Sequence, residues 1–265
     1  MKKIYITFSG DRYDATTRRI VEDAPKFGAD RVLVYDDHWL KSIYPSFMRQ
    51  NAWLFSHHAT RGFGWFAWKP FIIMHALDNF CADRDIVLYT DADTYPITDL
   101  GPLYRTCVEQ DGHMLFAAQG CMHRQWCKRD TFLTMAQDSS DFNGPEVQHG
   151  VGRFMLFQRL AGDAGWLNRQ FLMEWQTYCL NRLANTFDKS VLAEEYSELR
   201  EPRCEQAIMT NLAHKYGWKL WREACQFGAW SDQDRDRYGQ VFEQVGDHTY
   251  AKVKTQEGSE FRNIP

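Results

Sequence analysis

Ile86-Val87-Leu88-Tyr89-Thr90-Asp91-Ala92-Asp93-Thr94-Tyr95-Pro96 is the stretch that decides the fold of this chain. An apolar, β-prone run ends in two carboxylates spaced i, i+2, and a proline follows shortly after. Proline cannot donate to a strand ladder, so the pattern predicts a strand over Ile86–Thr90 that stops at the acids. In open α/β sheets the carboxyl end of a strand is where ligands bind. Asp91 and Asp93 have no Lys or Arg beside them in sequence, so they repel each other unless a cation comes between them. Hard divalent ions, Mg²⁺ or Mn²⁺, suit such an oxygen pair and also bind substrate phosphates.

Outward from this segment the pattern is that of an α/β chain. Lys3–Phe8 and Arg31–Tyr35 read as strands flanking a helix over Asp14–Phe27, which implies a parallel crossover at the amino terminus. Phe71–Phe80 reads as a helix entered after Pro70, a residue suited to a first helical position. Met114–Ala118 is a further strand, and Phe154–Phe157 another, preceded by a Gly150-Val151-Gly152 turn. Helices are expected over Trp166–Arg182 and Glu205–Tyr216, the latter closed by Gly217, with a late strand at Lys219–Trp221. From Gly246 onward the chain is polar and the core pattern stops. No repeat, low-complexity block or linker divides the sequence, so 1–265 reads as one domain.

At 265 residues, with 44% hydrophobic and 15% aromatic content, the chain can bury a large core, and most of its ten tryptophans are assigned to packing. A net charge of -4 gives no attraction to nucleic acid, and none is expected as a partner. Seven scattered cysteines without a Cys-x-x-Cys pair disfavour a zinc ribbon or a complete disulfide framework and fit a reducing, cytoplasmic setting. No apolar stretch has the length to span a bilayer. That leaves peripheral contact with the inner membrane face as the expected form of any membrane association.

Three segments then carry a resemblance. Asp85–Tyr104, with its strand, acidic pair and Asp99-Leu100-Gly101-Pro102-Leu103, resembles the Asp-x-Asp region of GT-A nucleotide-sugar glycosyltransferases, family 8 and related bacterial surface-polysaccharide enzymes above all. Gly62-Phe63-Gly64-Trp65-Phe66-Ala67-Trp68-Lys69-Pro70 looks like the Gly-aromatic-Trp-Lys-Pro signature of bacterial transferases that decorate surface polysaccharides. Arg203-Cys204-Glu205-Gln206-Ala207-Ile208-Met209-Thr210-Asn211-Leu212 is similar to the Asp-Gln-x-x-Leu-Asn stretch of retaining members, with Glu205 where Asp is usual. The three occur in the family's order, which is more specific than any one alone.

The resemblance implies a GT-A, Rossmann-like single domain with a mainly parallel central sheet flanked by helices, in which 1–110 is the nucleotide- and metal-binding half and 111–265 the acceptor-binding half and C-terminal tail. It implies a hexosyltransferase moving a sugar from a nucleotide-diphosphate sugar, UDP-linked by preference, to a glycan or glycolipid, with retention. Asp91 and Asp93 would hold Mn²⁺ or Mg²⁺, unless one of them binds the ribose hydroxyls, and His248 would be a third ligand although the family's usual motif around it is missing. Thr7, Phe8 and Ser9 would line the base and ribose, with Asp11 or Tyr13 nearby; Phe8 fits a base platform and a core position equally. Lys69, at a helix amino terminus, is a candidate for the diphosphate, followed by Arg61 and Lys252. Gln206 would face the reacting carbon on the β-face of the donor sugar. Glu205 would bind sugar hydroxyls or act as nucleophile, Asp130 would bind donor hydroxyls, and His149 would line the cleft. An inverting enzyme would instead need a carboxylate base, for which Asp130, Glu146 and Glu205 are available. Two other readings of the acidic pair stay open: a nucleotidyl- or phosphotransferase, and a non-catalytic sugar-nucleotide-binding protein.

Overall fold

The computed structural model describes residues 1–10, 14–55, 62–228 and 238–245. In chain order the elements are β1 (Lys3–Phe8), α1 (Asp14–Asp23), β2 (Arg31–Tyr35), α2 (Asp37–Ile43), α3 (Pro45–Gln50), α4 (Ala52–Phe55) and α5 (Trp68–Phe80). Then follow β3 (Ile86–Asp91), β4 (Thr94–Pro96), α6 (Gly101–Glu109), β5 (His113–Met122), α7 (Arg129–Thr134) and α8 (Ser140–Asn143). The last are β6 (Gln148–Gln158), α9 (Gly162–Cys179), α10 (Cys204–Lys215), β7 (Leu220–Arg222) and β8 (Phe242–Gln244). Asp11, Tyr13, Arg61, His248 and Lys252 lie outside the described residues.

Six strands form one sheet in the order β2-β1-β3-β6-β5-β7. β1 pairs parallel to both β2 and β3, and β5 parallel to β7, while β6 runs against its neighbours β3 and β5. The sheet is therefore mainly parallel, and the amino-terminal strand–helix–strand unit is parallel as expected. Ile4, Ile6 and Phe8 face one apolar layer with Val87, Tyr89, α5, α9 and α10; Tyr5 faces the other with Ile86, Leu88 and α6. Burial on both faces is why these strands read as near-continuous apolar runs rather than alternating ones.

Five local readings change. Gly150-Val151-Gly152 is no turn: it lies inside the 11-residue β6. A Cβ on Gly150 would stand 2.9 Å from Met209 Cε, and one on Gly152 3.2 Å from Glu205 Oε1, so the glycines let α10 lie directly on the strand. Pro70 is the third residue of α5, not the first, and Pro is tolerated there because first-turn N–H groups have no intrahelical acceptor. Pro96 does not simply end the β3 run. Thr94–Pro96 forms the short strand β4, paired only with β8, with the proline at its last position. The helix expected to reach Phe27 stops at Asp23, and that expected over Trp166–Arg182 runs from Gly162 to Cys179.

Candidate functional site

In the β1–β3 ladder Thr7 stands opposite Thr90 and Phe8 opposite Asp91. β2 lies on one side of β1 and β3 on the other, so the strand order reverses here, and the carboxyl ends of β1 and β3 flank the crevice such a reversal opens. The acidic pair and the first-strand residues, far apart in sequence, thus meet at one edge.

Their individual environments differ. Phe8 is core: it is buried and stacks on Trp68 with ring centroids 3.8 Å apart, with Phe63 at 6.1 Å. A base platform needs a free ring face at the surface, which a ring enclosed to this degree does not offer. Thr7 is wholly buried and its hydroxyl has no partner among the described residues, so it does not line an open pocket either. Ser9 is buried as well, with its hydroxyl 2.6 Å from that of Thr17 and its N–H donated to Tyr35 O, tying β1 to α1 and β2.

Lys69 departs furthest from the expectation. It is buried, and its ammonium donates to Glu205 Oε1 at 2.8 Å, Gly152 O at 2.9 Å and Asp91 Oδ1 at 3.0 Å. An ammonium has three N–H donors, and all three are spent within the protein rather than left for a phosphate. Burial works against the charge. The attraction of Asp91 and Glu205, reinforced by their hydrogen bonds, outweighs it and lifts the Lys69 pKa above the ordinary lysine value. Burial in turn pushes the Glu205 carboxyl up, opposed by Lys69 beside it. The cation that the acidic pair lacks in sequence is therefore supplied to Asp91 by α5, and the same ammonium joins β3, β6 and α10.

The approach to this triad is strained. Gly64, Trp65 and Phe66 have φ of 56°, 44° and 61°, and Cys204, just before Glu205, has φ 41°. Such conformations cost roughly 1–3 kcal/mol each for non-glycine residues and persist where surrounding packing fixes them. Here Trp68 Nε1 donates to Phe63 O at 2.9 Å, and Trp175 Nε1 to Glu205 O at 2.8 Å. The Gly-aromatic-Trp-Lys-Pro segment is therefore a bent support that drives Lys69 inward.

Asp93 sits on the turn after β3. Its Oδ1 accepts from Thr94 Oγ1 and its Oδ2 from Gln244 Nε2, both at 2.9 Å. Burial and the neighbouring Asp91 charge raise the Asp93 pKa, with Gln244, Thr94 and Arg153 opposing. Gln244 comes from β8 and is itself held by Arg153, which reaches Gln244 Oε1 at 2.7 Å and Glu223 Oε1 at 2.9 Å. Neither Arg153 nor β8 is suggested by the sequence, because Gln244 reaches Asp93 across 151 residues and Arg153 reaches it through Gln244.

As a metal site the pair is partial. Asp91 Oδ1 also accepts from Tyr89 Oη, while Asp91 Oδ2 has no hydrogen-bond partner among the described residues. Each Asp93 oxygen keeps a second lone pair. Hard oxygen donors of this kind fit Mg²⁺ or Mn²⁺. Among the described residues no group of three His, Cys, Asp or Glu converges on a metal position.

Asp130 is also committed inside the protein. It is buried, and its two oxygens accept the backbone N–H groups of Leu192 and Val191, each at 2.9 Å, while its own N–H donates to Ser190 Oγ. It pins the irregular segment before α10 rather than offering a carboxylate to a sugar. Asp130→Asn leaves one of these amides facing an NH₂ group. The expected loss is about 1–3 kcal/mol of folding stability, read by urea unfolding. A variant as stable as the parent but impaired in turnover would restore the sugar-binding role.

Gln206, half-buried on the first turn of α10, lies next to Glu205 and contacts His149, which is buried beneath it. Helix α10 thus presents Glu205 to Lys69 and Gln206 to His149. No family model matches the chain, and no curated protein does. Among solved structures the chain is similar to mouse xyloside xylosyltransferase 1 in its apo form. The two share 11% identity, the match covers 94% of this chain and 98% of that one, and the TM-score is 0.47. At that identity and score the likeness assigns no donor, acceptor or residue role.

Proposed function

We propose that the chain is a metal-dependent glycosyltransferase. In this reading it moves a hexosyl group from a nucleotide-diphosphate sugar, UDP-linked by family resemblance, to a glycan or glycolipid acceptor with retention. The observation that carries the reading is the in-register meeting of Phe8 with Asp91 at the reversal of strand order, with Lys69 and Glu205 converging on the same acid. Asp91 and Asp93 would hold the divalent ion, which supplies a Lewis acid that neutralises the leaving diphosphate.

The protein's own groups set the rest. Lys69 lies between Asp91 and Glu205 and offsets their mutual repulsion, so the strand end and the start of α10 stay together. Glu205, buried and ion-paired, orients neighbours rather than attacks, which favours Gln206 as the group nearest the reacting carbon. Retention is favoured because two of the three carboxylates available as an inverting base are occupied, Asp130 by backbone amides and Glu205 by Lys69. The third, Glu146, is exposed.

The test is slow hydrolysis of UDP-, GDP- and dTDP-sugars with and without Mn²⁺. One donor should be hydrolysed, and EDTA should abolish the reaction. Failure of every nucleotide sugar to bind at saturating metal would overturn the reading, and an inverted product anomer would remove the role given to Gln206.

A further inference from the structure

Beneath Gln206 four side chains stand in single file. Gln206 Nε2 lies 2.8 Å from His149 Nε2, His149 Nδ1 lies 2.9 Å from His123 Nδ1, and His123 Nε2 lies 3.0 Å from Asn211 Oδ1. His149, His123 and Asn211 are all buried. Two ring nitrogens facing each other can share only one proton, so the file must have a direction.

Sulfur at its far end sets that direction. Asn211 Nδ2 lies 3.4 Å from Met135 Sδ and 3.8 Å from Cys127 Sγ. A thioether can only accept, and the Cys127 S–H points to Lys128 O, which leaves Cys127 Sγ as an acceptor too. The Asn211 NH₂ must therefore face the sulfurs and its Oδ1 must face His123. Oδ1 accepts, so His123 carries its proton on Nε2. Burial pushes the His123 pKa down to about 3 and that of His149 well below its ordinary value, so both rings are neutral with one proton each. His123 Nδ1 is then bare, and His149 must donate from Nδ1. His149 Nε2 is bare in turn, and the Gln206 amide must donate to it.

We propose that Met135 and Asn211, acting through His123 and His149 as positioning residues, lock the Gln206 amide so that its NH₂ points inward and its Oε1 faces the site beside Glu205. The site thereby selects a ligand that brings a hydrogen-bond donor, such as a sugar hydroxyl, to that point and disfavours one that brings an acceptor. The role of Gln206 toward a ligand rests on the function proposed above; the direction of the file does not.

The experiment is long-range ¹⁵N–¹H NMR of the histidine side chains of the full chain without ligand, with signals assigned by His123→Gln and His149→Gln. Expected is His149 as the Nδ1–H tautomer and His123 as the Nε2–H tautomer, both neutral near neutral pH. The opposite pair of tautomers, or an imidazolium at either ring, overturns the proposal. Gln206→Glu is the second arm. An ionised carboxylate there can only accept, so His149 should gain a proton on Nε2 while keeping that on Nδ1 and become imidazolium, or the carboxyl should stay protonated and donate to Nε2, with His123 unchanged in either case. If His149 remains the neutral Nδ1–H form while the introduced carboxyl is ionised by its ¹³C shift, Gln206 is not its donor and the proposal fails; a protonated carboxyl donating to Nε2 supports the proposal as the imidazolium does. Should the variant not fold, the tautomers of the parent protein decide alone. Because no donor or turnover is involved, failure here is separable from failure of the glycosyltransferase reading.

Discussion

Lys69→Met is expected to lower folding stability by about 3–5 kcal/mol near neutral pH, the usual effect of removing one partner of a buried ion pair. Methionine keeps much of the lysine stem's volume, so the loss reports on charge rather than on a cavity. It leaves Glu205 buried and Asp91 half-buried without their cation, and it leaves Gly152 O without its donor. The pH dependence gives a second signature. Lys69 has a raised pKa when folded, so its contribution is fully present below the ordinary lysine value of 10.5 and fades as pH rises above it. In the variant the main opposition to the burial that pushes Glu205 up is gone, leaving only the backbone hydrogen bond at Gln206. The folded form then binds a proton that the unfolded chain releases, and the variant regains stability as pH falls. The gap between parent and variant should therefore narrow at both ends of the pH range. Adding Glu205→Gln to Lys69→Met should recover part of the loss, because the uncompensated buried charge is gone. A loss below about 1 kcal/mol, the range of exposed pairs, would show that the triad is not the buried junction described.

Under the proposed function, Asp93→Asn is expected to cut metal-dependent turnover sharply while leaving the fold intact. Loss of a charged oxygen from a site that neutralises a leaving group removes several kcal/mol of transition-state stabilisation, so kcat should fall by on the order of 10²–10³. The fold should tolerate the change. The Asn oxygen can still accept from Gln244 Nε2, and burial with Asp91 already disfavours the Asp93 charge. A carboxyl whose folded pKa is raised makes the folded state less stable once pH rises past its unfolded value, so the neutral amide should be no less stable than the parent and somewhat more stable near neutral pH. Mn²⁺ should raise the thermal midpoint of the parent but not of the variant, since binding to the folded state alone shifts stability by mass action. Full turnover in Asp93→Asn, or an equal Mn²⁺ shift in both proteins, would remove Asp93 from the metal site.

Much of the architecture is legible along the chain because its signals are local. Short apolar, β-prone runs mark β1, β2 and β3, and helical periodicity marks α5, α9 and α10 within a few residues of their ends. Gly217, with φ 65°, closes α10 as its position suggests. The acidic pair is legible for the same reason: strand, acids and turn occupy one short segment. Gly150 and Gly152 show the limit. Glycine marks a turn and a close helix approach with the same letter, and only the packing of α10 distinguishes them.

The sequence by itself determined an α/β chain with a parallel amino-terminal crossover and with Asp91 and Asp93 at a strand end, since both follow from hydrophobic period and strand-breaking residues close by. The tertiary structure alone decided what those acids meet: Lys69 on Asp91, Gln244 on Asp93, and the histidine file beneath Gln206. It also decided that Lys69, Phe8 and Asp130 turn inward rather than toward a ligand. These pairings join residues 22, 151 and 57 positions apart. A charge or a hydrogen-bonding group acts on whatever lies within a few ångströms in space, and no local pattern records which distant residue the fold brings there.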